Sequence, residues 1–341
     1  MLTRIPSPKL SYQVKMEWIE SDLLKGNAAG EDARRPLTVI VPEGAADRRF
    51  AVYYCLAPWT NAGRTQAQWE PFKESLIDRV ERLTASGQIK PAIFVCPDLY
   101  TGFGGSQYIN SQYFGPHGDH VVHELIPYIE KNYPVLPGPL SRGVFGRSSG
   151  GFGALRLAMD YPGTFAAVAC HSGDMGFDLL YRRDLVDLCY ALARYSGDPK
   201  AYLKALQAAP KIDGKSIHTL MLLGMAAFYS PNDKSGYDLP IDVFTGELKL
   251  DVWQQWASQD PVWMIDETKN QEALRALALL YIDCGNRDQY HLHFGARQLR
   301  RKLERYGIAH KGLEFDDNHS GTAYRYDVSL PMMDEVLRHH T

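Results

Sequence analysis

The chain has 341 residues, 45% of them hydrophobic and 23% charged, with a formal net charge of −3. That apolar share supports a substantial core and excludes wholesale disorder, and the length fits one large α/β domain with an insertion, or two small domains. The mixed charge signs form no basic stripe, which argues against nucleic acid and anionic membrane as partners, and no apolar run reaches the 18 residues of a membrane span.

Val14, Met16 and Trp18 alternate with polar residues, which predicts a half-buried strand, and Leu37–Val41 predicts a second. Phe50–Leu56 is a nearly unbroken apolar run, as a central parallel strand requires when both its faces are covered. A loop, Ala57-Pro58-Trp59-Thr60-Asn61-Ala62-Gly63, follows. Trp69, Phe72, Leu76, Ile77, Val80 and Leu83 then recur at helical spacing up to a stop at Gly87. Ala92–Cys96 is the next buried strand, and 99–119 is too long for a plain connection, which makes it a candidate for a functional loop. His120–Tyr133 reads as a helix. After the segment 143–161, taken up below, Phe165–Cys170 is again a strand. From about 174 to 266 the rhythm breaks into helices (Leu179–Ala193, Pro199–Ala208, Ile217–Tyr229, Asp251–Gln259), the composition of a cap inserted into a sheet domain. Alternation resumes with strand Leu277–Cys284, helix 290–306, strand Leu313–Phe315 and a C-terminal helix expected to start at Pro331.

Gly146-Arg147-Ser148-Ser149-Gly150 fits G-x-S-x-G, a weak pattern by itself. Its context strengthens it: a short apolar strand (Val144, Phe145) leads in, and a helix with Phe152, Leu155 and Met159 on one face leads out. So sharp a strand-to-helix turn crowds side chains; glycines at 146 and 150 relieve it and leave the Ser148 hydroxyl standing above the sheet. The helix also aims its free N–H groups at the same point.

In a doubly wound, mostly parallel sheet, reactive groups gather at the carboxyl ends of the strands. Asp288 lies in the loop beyond strand 277–284, where it can reach across the sheet, and is the expected acid; Asp283, within the strand, is the alternative. His319, in Asp316-Asp317-Asn318-His319-Ser320-Gly321, is the histidine placed immediately after a late strand and is the expected base. Serine needs such a base at neutral pH, and the carboxylate would fix the imidazole tautomer. The Ser149 N–H is one oxyanion donor by construction, and the loop after strand 50–56 places the second at the Trp59 N–H.

Other patterns carry less. His117, His120 and His123 suggest a metal, but there is no HExxH, and loop-packing or surface histidines are expected instead. Gly102-Phe103-Gly104-Gly105-Ser106 lacks the GK[ST] ending of a phosphate loop. No metal or cofactor is expected. The five cysteines (Cys55, Cys96, Cys170, Cys189, Cys284) form no CxxC pair; they read as buried free thiols in a reducing compartment, with a thiol nucleophile as the sharper alternative. The N-terminus lacks the apolar core of a signal peptide, so a cytoplasmic protein is expected, although a chain already trimmed of a leader would read the same. The sequence is silent on oligomeric state, which leaves a homo-oligomer open.

Several segments in order resemble the esterase D-like family of α/β-hydrolases, which includes S-formylglutathione hydrolases, feruloyl and acetyl-xylan esterases, enterochelin esterases and mycolyltransferases. They are Pro97-Asp98, Gly105–Ser111, Glu124–Glu130, the Gly146–Gly153 elbow, His171-Ser172-Gly173, and the Asp288 and His319 loops. The resemblance covers about 14–175 and 275–340 and implies an α/β-hydrolase core formed by 1–173 and 267–341; the helical cap read from composition at 174–266 is not typical of the smallest members. It implies Ser148, Asp288 and His319 as a triad, with Ser149 and Trp59 lining the oxyanion hole. Where many members carry His-Gly after the third strand, this chain has Ala57-Pro58. The expected activity is serine carboxylester hydrolysis through an acyl-enzyme, on a small-molecule ester with a small or aromatic acyl group. Trp59, Phe103, Tyr108, Tyr113, Phe114, Phe228, Tyr229 and Trp253 are candidates either for an acyl pocket or for cap core. Acyl transfer to an alcohol or thiol and a non-catalytic binding role are the competing readings.

Overall fold

The computed structural model describes residues 11–44, 48–234 and 236–339. Its main sheet has eight strands: β1 (Tyr12–Glu20), β2 (Arg34–Pro42), β3 (Val52–Leu56), β4 (Ile93–Pro97), β5 (Arg142–Arg147), β6 (Ala167–His171), β7 (Leu279–Gly285) and β8 (Lys311–Phe315). In space they lie in the order β1-β2-β4-β3-β5-β6-β7-β8. The β1–β2 and β2–β4 pairings are antiparallel and every later pairing is parallel. β3, β4, β6 and β7 are buried along their whole length, which is why they read as unbroken apolar runs.

Helices cover both faces. On one, α1 (Leu76–Ala85) and the C-terminal helix, with Tyr326, Leu330 and Met333, pack against Tyr53, Phe94 and Phe145. On the other, α2 (Ile126–Asn132) and α3 (Ser149–Asp160) pack against Val52, Tyr54, Leu56 and Val144. Between β6 and β7 the chain forms α4 (Leu185–Ala193), α5 (Pro199–Ala208), α6 (Gly214–Tyr229) and α7 (Leu250–Ala257), with four-residue helical turns at Phe177–Leu180 and Pro261–Met264 and a last helix at Thr268–Arg275. α8 (Leu292–Arg305) joins β7 to β8, and α9 (Tyr326–Val336) closes the chain.

Four local expectations are corrected. The apolar face of β1 is open to solvent, with Val14, Met16 and Trp18 each 44–55% exposed, while Tyr12 and Ile19 are buried. Glu17, on the polar side, accepts from Tyr128 and Tyr133, so it is that face which meets the helix layer at this sheet edge. α1 starts at Leu76, leaving Trp69 and Phe72 outside it and exposed, because Ser75 and Asp78 form a capping box. The expected helix 120–133 opens with a π-helical stretch, His120–Leu125, before α2. α9 begins at Tyr326, with Pro331 inside it; Asp327 in its first turn pairs with Arg79 and Arg82 of α1 and fixes the early start.

Candidate active site

Strand register brings the site together. Gly146 lies beside Leu56 of β3 and Cys170 of β6, so the chain leaving β5 turns between their carboxyl ends. Ser148 takes φ 56° and ψ −128°, a conformation that non-glycine residues rarely adopt and that the surroundings must hold in place. A Cβ at Gly150 would lie 2.0 Å from the Leu56 carbonyl oxygen, and one at Gly146 2.5 Å from the Gly150 backbone. Both glycines are therefore required by backbone contact. Ser149 is the first residue of α3, where an N–H has no intrahelical acceptor.

The three expected site residues meet. His319 Nε2 is 3.0 Å from Ser148 Oγ, and His319 Nδ1 is 2.7 Å from Asp288 Oδ2. Asp288 is buried, and its Oδ1 accepts from the Tyr290 N–H at 2.9 Å. A carboxylate so placed accepts from Nδ1–H and turns the lone pair of Nε2 toward the serine. Asp283 does not reach this group; it sits within β7 and engages His171, Tyr281 and Arg325.

Three residues that sequence reasoning passed over hold the histidine loop. Arg147 donates to the His319 carbonyl at 3.2 Å, Gln289 Oε1 accepts the His319 N–H at 3.0 Å, and the Tyr290 ring meets the imidazole edge-on with centroids 4.9 Å apart. Their sequence signal was adjacency alone: Arg147 precedes Ser148, and Gln289 and Tyr290 follow Asp288.

The Trp59 loop borders the same point. Its Thr60 N–H donates to Gly104 and its Asn61 N–H to Pro58, which leaves the Trp59 N–H without a backbone acceptor among the described residues. The glycine run at 102–106 seats this loop: a Cβ at Gly105 would lie 2.5 Å from the Trp59 ring. On its other side, a Cβ at Gly224 of α6 would also come within 2.5 Å of the indole.

A cleft of about 330 Å³ opens over these groups. Pro58, Trp59, Ser148, Ser149 and His319 form its floor side, and Leu180, Tyr181, Ile217, Met221, Tyr290 and Leu292 supply much of the wall. Of the aromatic candidates from the sequence, Trp59 alone borders the cleft; Phe103, Tyr108, Phe114, Phe228, Tyr229 and Trp253 are buried in the core. Asp174 also lines the cleft, 5% exposed, and burial pushes its carboxyl above the usual range. Its Oδ2 accepts from Tyr181 OH (2.8 Å), Gln107 Nε2 (3.0 Å) and Ser149 Oγ (3.3 Å).

All five cysteines are free and buried, and none borders the cleft. Burial pushes the thiols of Cys55, Cys170 and Cys284 up, which makes them poor nucleophiles. His117 and His120 are buried rather than on the surface: His117 Nδ1 lies 2.9 Å from Ser106 Oγ, and His120 pairs with Glu124. His123 is exposed. Among the described residues, no group of three or more His, Cys, Asp or Glu side chains could hold a metal ion, and no helix is long and apolar enough to cross a membrane.

The family model described as "Putative esterase" matches residues 27–330. The chain belongs to that family. Two Mycobacterium tuberculosis relatives, Esterase MT1326 and Esterase Rv1288, are 41% identical to it over 88 residues, which is 25% of this chain and 19% of theirs. The chain thus matches about a fifth of the length of these curated relatives. A ferulic acid esterase structure superimposes with a TM-score of 0.60 at 17% identity, covering 96% of this chain and 100% of that one. An S-formylglutathione hydrolase from Agrobacterium tumefaciens gives 0.59 at 16%, covering 97% and 98%. At such identities the likeness speaks for the fold, and the fold is that of the α/β-hydrolases.

Proposed function

We propose that this member of the Putative esterase family hydrolyses carboxylic esters of small molecules through an acyl-enzyme on Ser148. The observation that carries the reading is the unbroken relay from Ser148 Oγ through His319 to Asp288, at 3.0 and 2.7 Å. In it, Ser148 Oγ attacks the ester carbonyl while His319 Nε2 takes the hydroxyl proton. The oxyanion is met by the N–H groups of Ser149 and Trp59, each such donor being worth about 3 kcal/mol of transition-state stabilisation. Collapse breaks the ester C–O bond, and the proton on His319 passes to the leaving alcohol. A water, deprotonated by the same imidazole, then attacks the acyl-enzyme and frees the acid and the serine. Asp288 stays ionised throughout and stabilises the imidazolium. The helical segment 174–266 serves as the cap, since Leu180, Tyr181, Ile217 and Met221 all come from it.

The test uses 4-nitrophenyl acetate and an organophosphonate. Ser148→Ala is expected to lower kcat by a factor on the order of 10⁶ while the circular dichroism spectrum is kept. The organophosphonate is expected to add once to the wild type, at Ser148, and not to the variant. Turnover retained by Ser148→Ala, or labelling at a cysteine, overturns the reading.

A further inference from the structure

Asp174 has no part in the relay from serine to aspartate, yet it is a buried carboxylate in the wall of the cleft beside the nucleophile. Its two oxygens have different fates. Oδ2 is fully engaged, accepting from Gln107, Tyr181 and Ser149. Oδ1 has no partner among the described residues. The carboxylate is thus held rigidly by one oxygen while the other is left to the cleft. An acceptor oxygen at the cleft that meets no protein donor is open to a donor from the ligand.

The neighbours narrow what that donor is. Leu180, Ile217 and Met221 give the wall an apolar character, so the substrate chain beside Asp174 is carbon. Arg147 lines the same cleft, and the proposed reaction places a positive charge on His319, so repulsion from both offsets the pull of Asp174 on an ammonium. A neutral hydroxyl donates without that penalty. We infer that Asp174 is a specificity-determining residue that selects esters bearing a hydroxyl near the scissile bond, by accepting that hydroxyl on Oδ1. The inference rests on the esterase reading of the site and names part of its substrate.

Buried polar groups left unpaired by an analogue that lacks the matching donor discriminate strongly against it. The experiment compares ethyl butyrate, ethyl 3-hydroxybutyrate, ethyl 3-aminobutyrate and 2-hydroxyethyl butyrate, which place the donor on the acyl or the alcohol side. The wild type is expected to favour one of the hydroxylated esters over ethyl butyrate by roughly 10- to 100-fold in kcat/KM, the worth of a hydrogen bond to a charged acceptor. Asp174→Asn can keep its amide oxygen toward Gln107, Tyr181 and Ser149 and turn its NH₂ to the cleft, replacing the acceptor with a donor. In that variant the preference is expected to fall to within about 3-fold of unity, in proportion to the lost charge-assisted bond. Equal losses on all esters would mean that Asp174 only holds the wall, and would overturn the proposal; so would a wild type with no preference, or one that favours the aminobutyrate.

Calorimetric binding of the intact esters to Ser148→Ala separates the two readings. A hydroxyl preference in binding that Asp174→Asn abolishes supports Asp174 even if hydrolysis proves absent, which would sink the nucleophile alone. Vigorous hydrolysis with no hydroxyl preference sinks Asp174 alone.

Discussion

The backbone N–H of Ser148 donates to the carbonyl of His171 at 2.9 Å, and through it the strained elbow is tied to a buried polar network. The His171 ring lies 2.7 Å from Asp283 and 2.8 Å from the Ser329 hydroxyl, while Arg325 and Tyr281 both donate to Asp283. Two aspartates near the end of β7 therefore serve different partners. Asp288 meets His319, and Asp283 anchors β6 and α9 beneath the elbow.

This division predicts a crossed pattern of effects. Asp283→Ala leaves the buried His171 and the half-buried Arg325 without their acceptor and is expected to lower stability by roughly 3–5 kcal/mol in urea unfolding. Burial alone would raise the Asp283 carboxyl, but His171 and Arg325 hold it below the usual range, so its contribution is full above about pH 4 and fades as pH falls further. Asp288→Asn is expected to leave unfolding much less affected and to cut kcat on the order of 10⁴-fold, by spoiling the tautomer of His319. The reverse pattern would exchange the roles of the two residues.

The elbow itself gives a steric prediction. A methyl at Gly150 would sit 2.0 Å from the backbone oxygen of Leu56, and neither β3 nor α3 can retreat from a contact buried on every side. Gly150→Ala is expected to cost about 3 kcal/mol or more and to lower kcat in whatever fraction folds. A thermal melt indistinguishable from the wild type would show that the turn is looser than this contact requires.

Trp59 is gripped between two glycines distant in sequence, Gly105 and Gly224. Gly224→Ala would push the Cβ into the outer indole ring, and the ring has little room to yield because Gly105 already closes on the indole near its Cγ. The displacement passes to the Trp59 backbone, the proposed second oxyanion donor. A fall in kcat of roughly 10- to 100-fold with little change in KM is expected, since a misplaced donor is felt in the transition state. Near-ultraviolet circular dichroism would report the indole movement. Unchanged kcat alongside a shifted indole signal would move the second donor elsewhere.

The relay residues were legible because each sits just past the end of a strand, and the order of strands is a local property of the chain. Gly146 and Gly150 announced the elbow for the same reason. What stayed hidden depended on tertiary neighbours. Val14, Met16 and Trp18 alternate correctly for a strand, but sequence period cannot tell which face of an edge strand a helix layer will cover. Trp69 and Phe72 fit a helical period that the Ser75 cap cuts short. Asp174 follows a His-Ser-Gly segment with nothing to mark it, and only the arrival of Gln107 and Tyr181 from remote segments makes it a buried carboxylate. The glycines at 102–105 drew notice for phosphate binding, whereas Gly104 and Gly105 serve to let the Trp59 ring approach the backbone.

Asp260 gives the last prediction, on pH. It caps the short helix Pro261–Met264 through the Val262 N–H and also accepts from Gly176 and Phe177, so it clamps the start of the helical insertion to its end. It is 1% exposed, and burial raises its carboxyl from 3.8 to about 6 against the lowering pull of those three N–H groups. Because the folded protein holds this proton more tightly than the unfolded chain, the associated stability is full below about pH 4 and is lost as pH rises through about 6. The shift of about two pH units corresponds to roughly 3 kcal/mol over that window. Asp260→Asn cannot titrate. Although the variant is less stable overall, the difference between wild type and variant in urea midpoints is expected to shrink steadily from pH 4 to pH 6 and then level off. A difference that is flat, or that grows with pH, would show that the three N–H groups outweigh burial and that the clamp is ionised throughout.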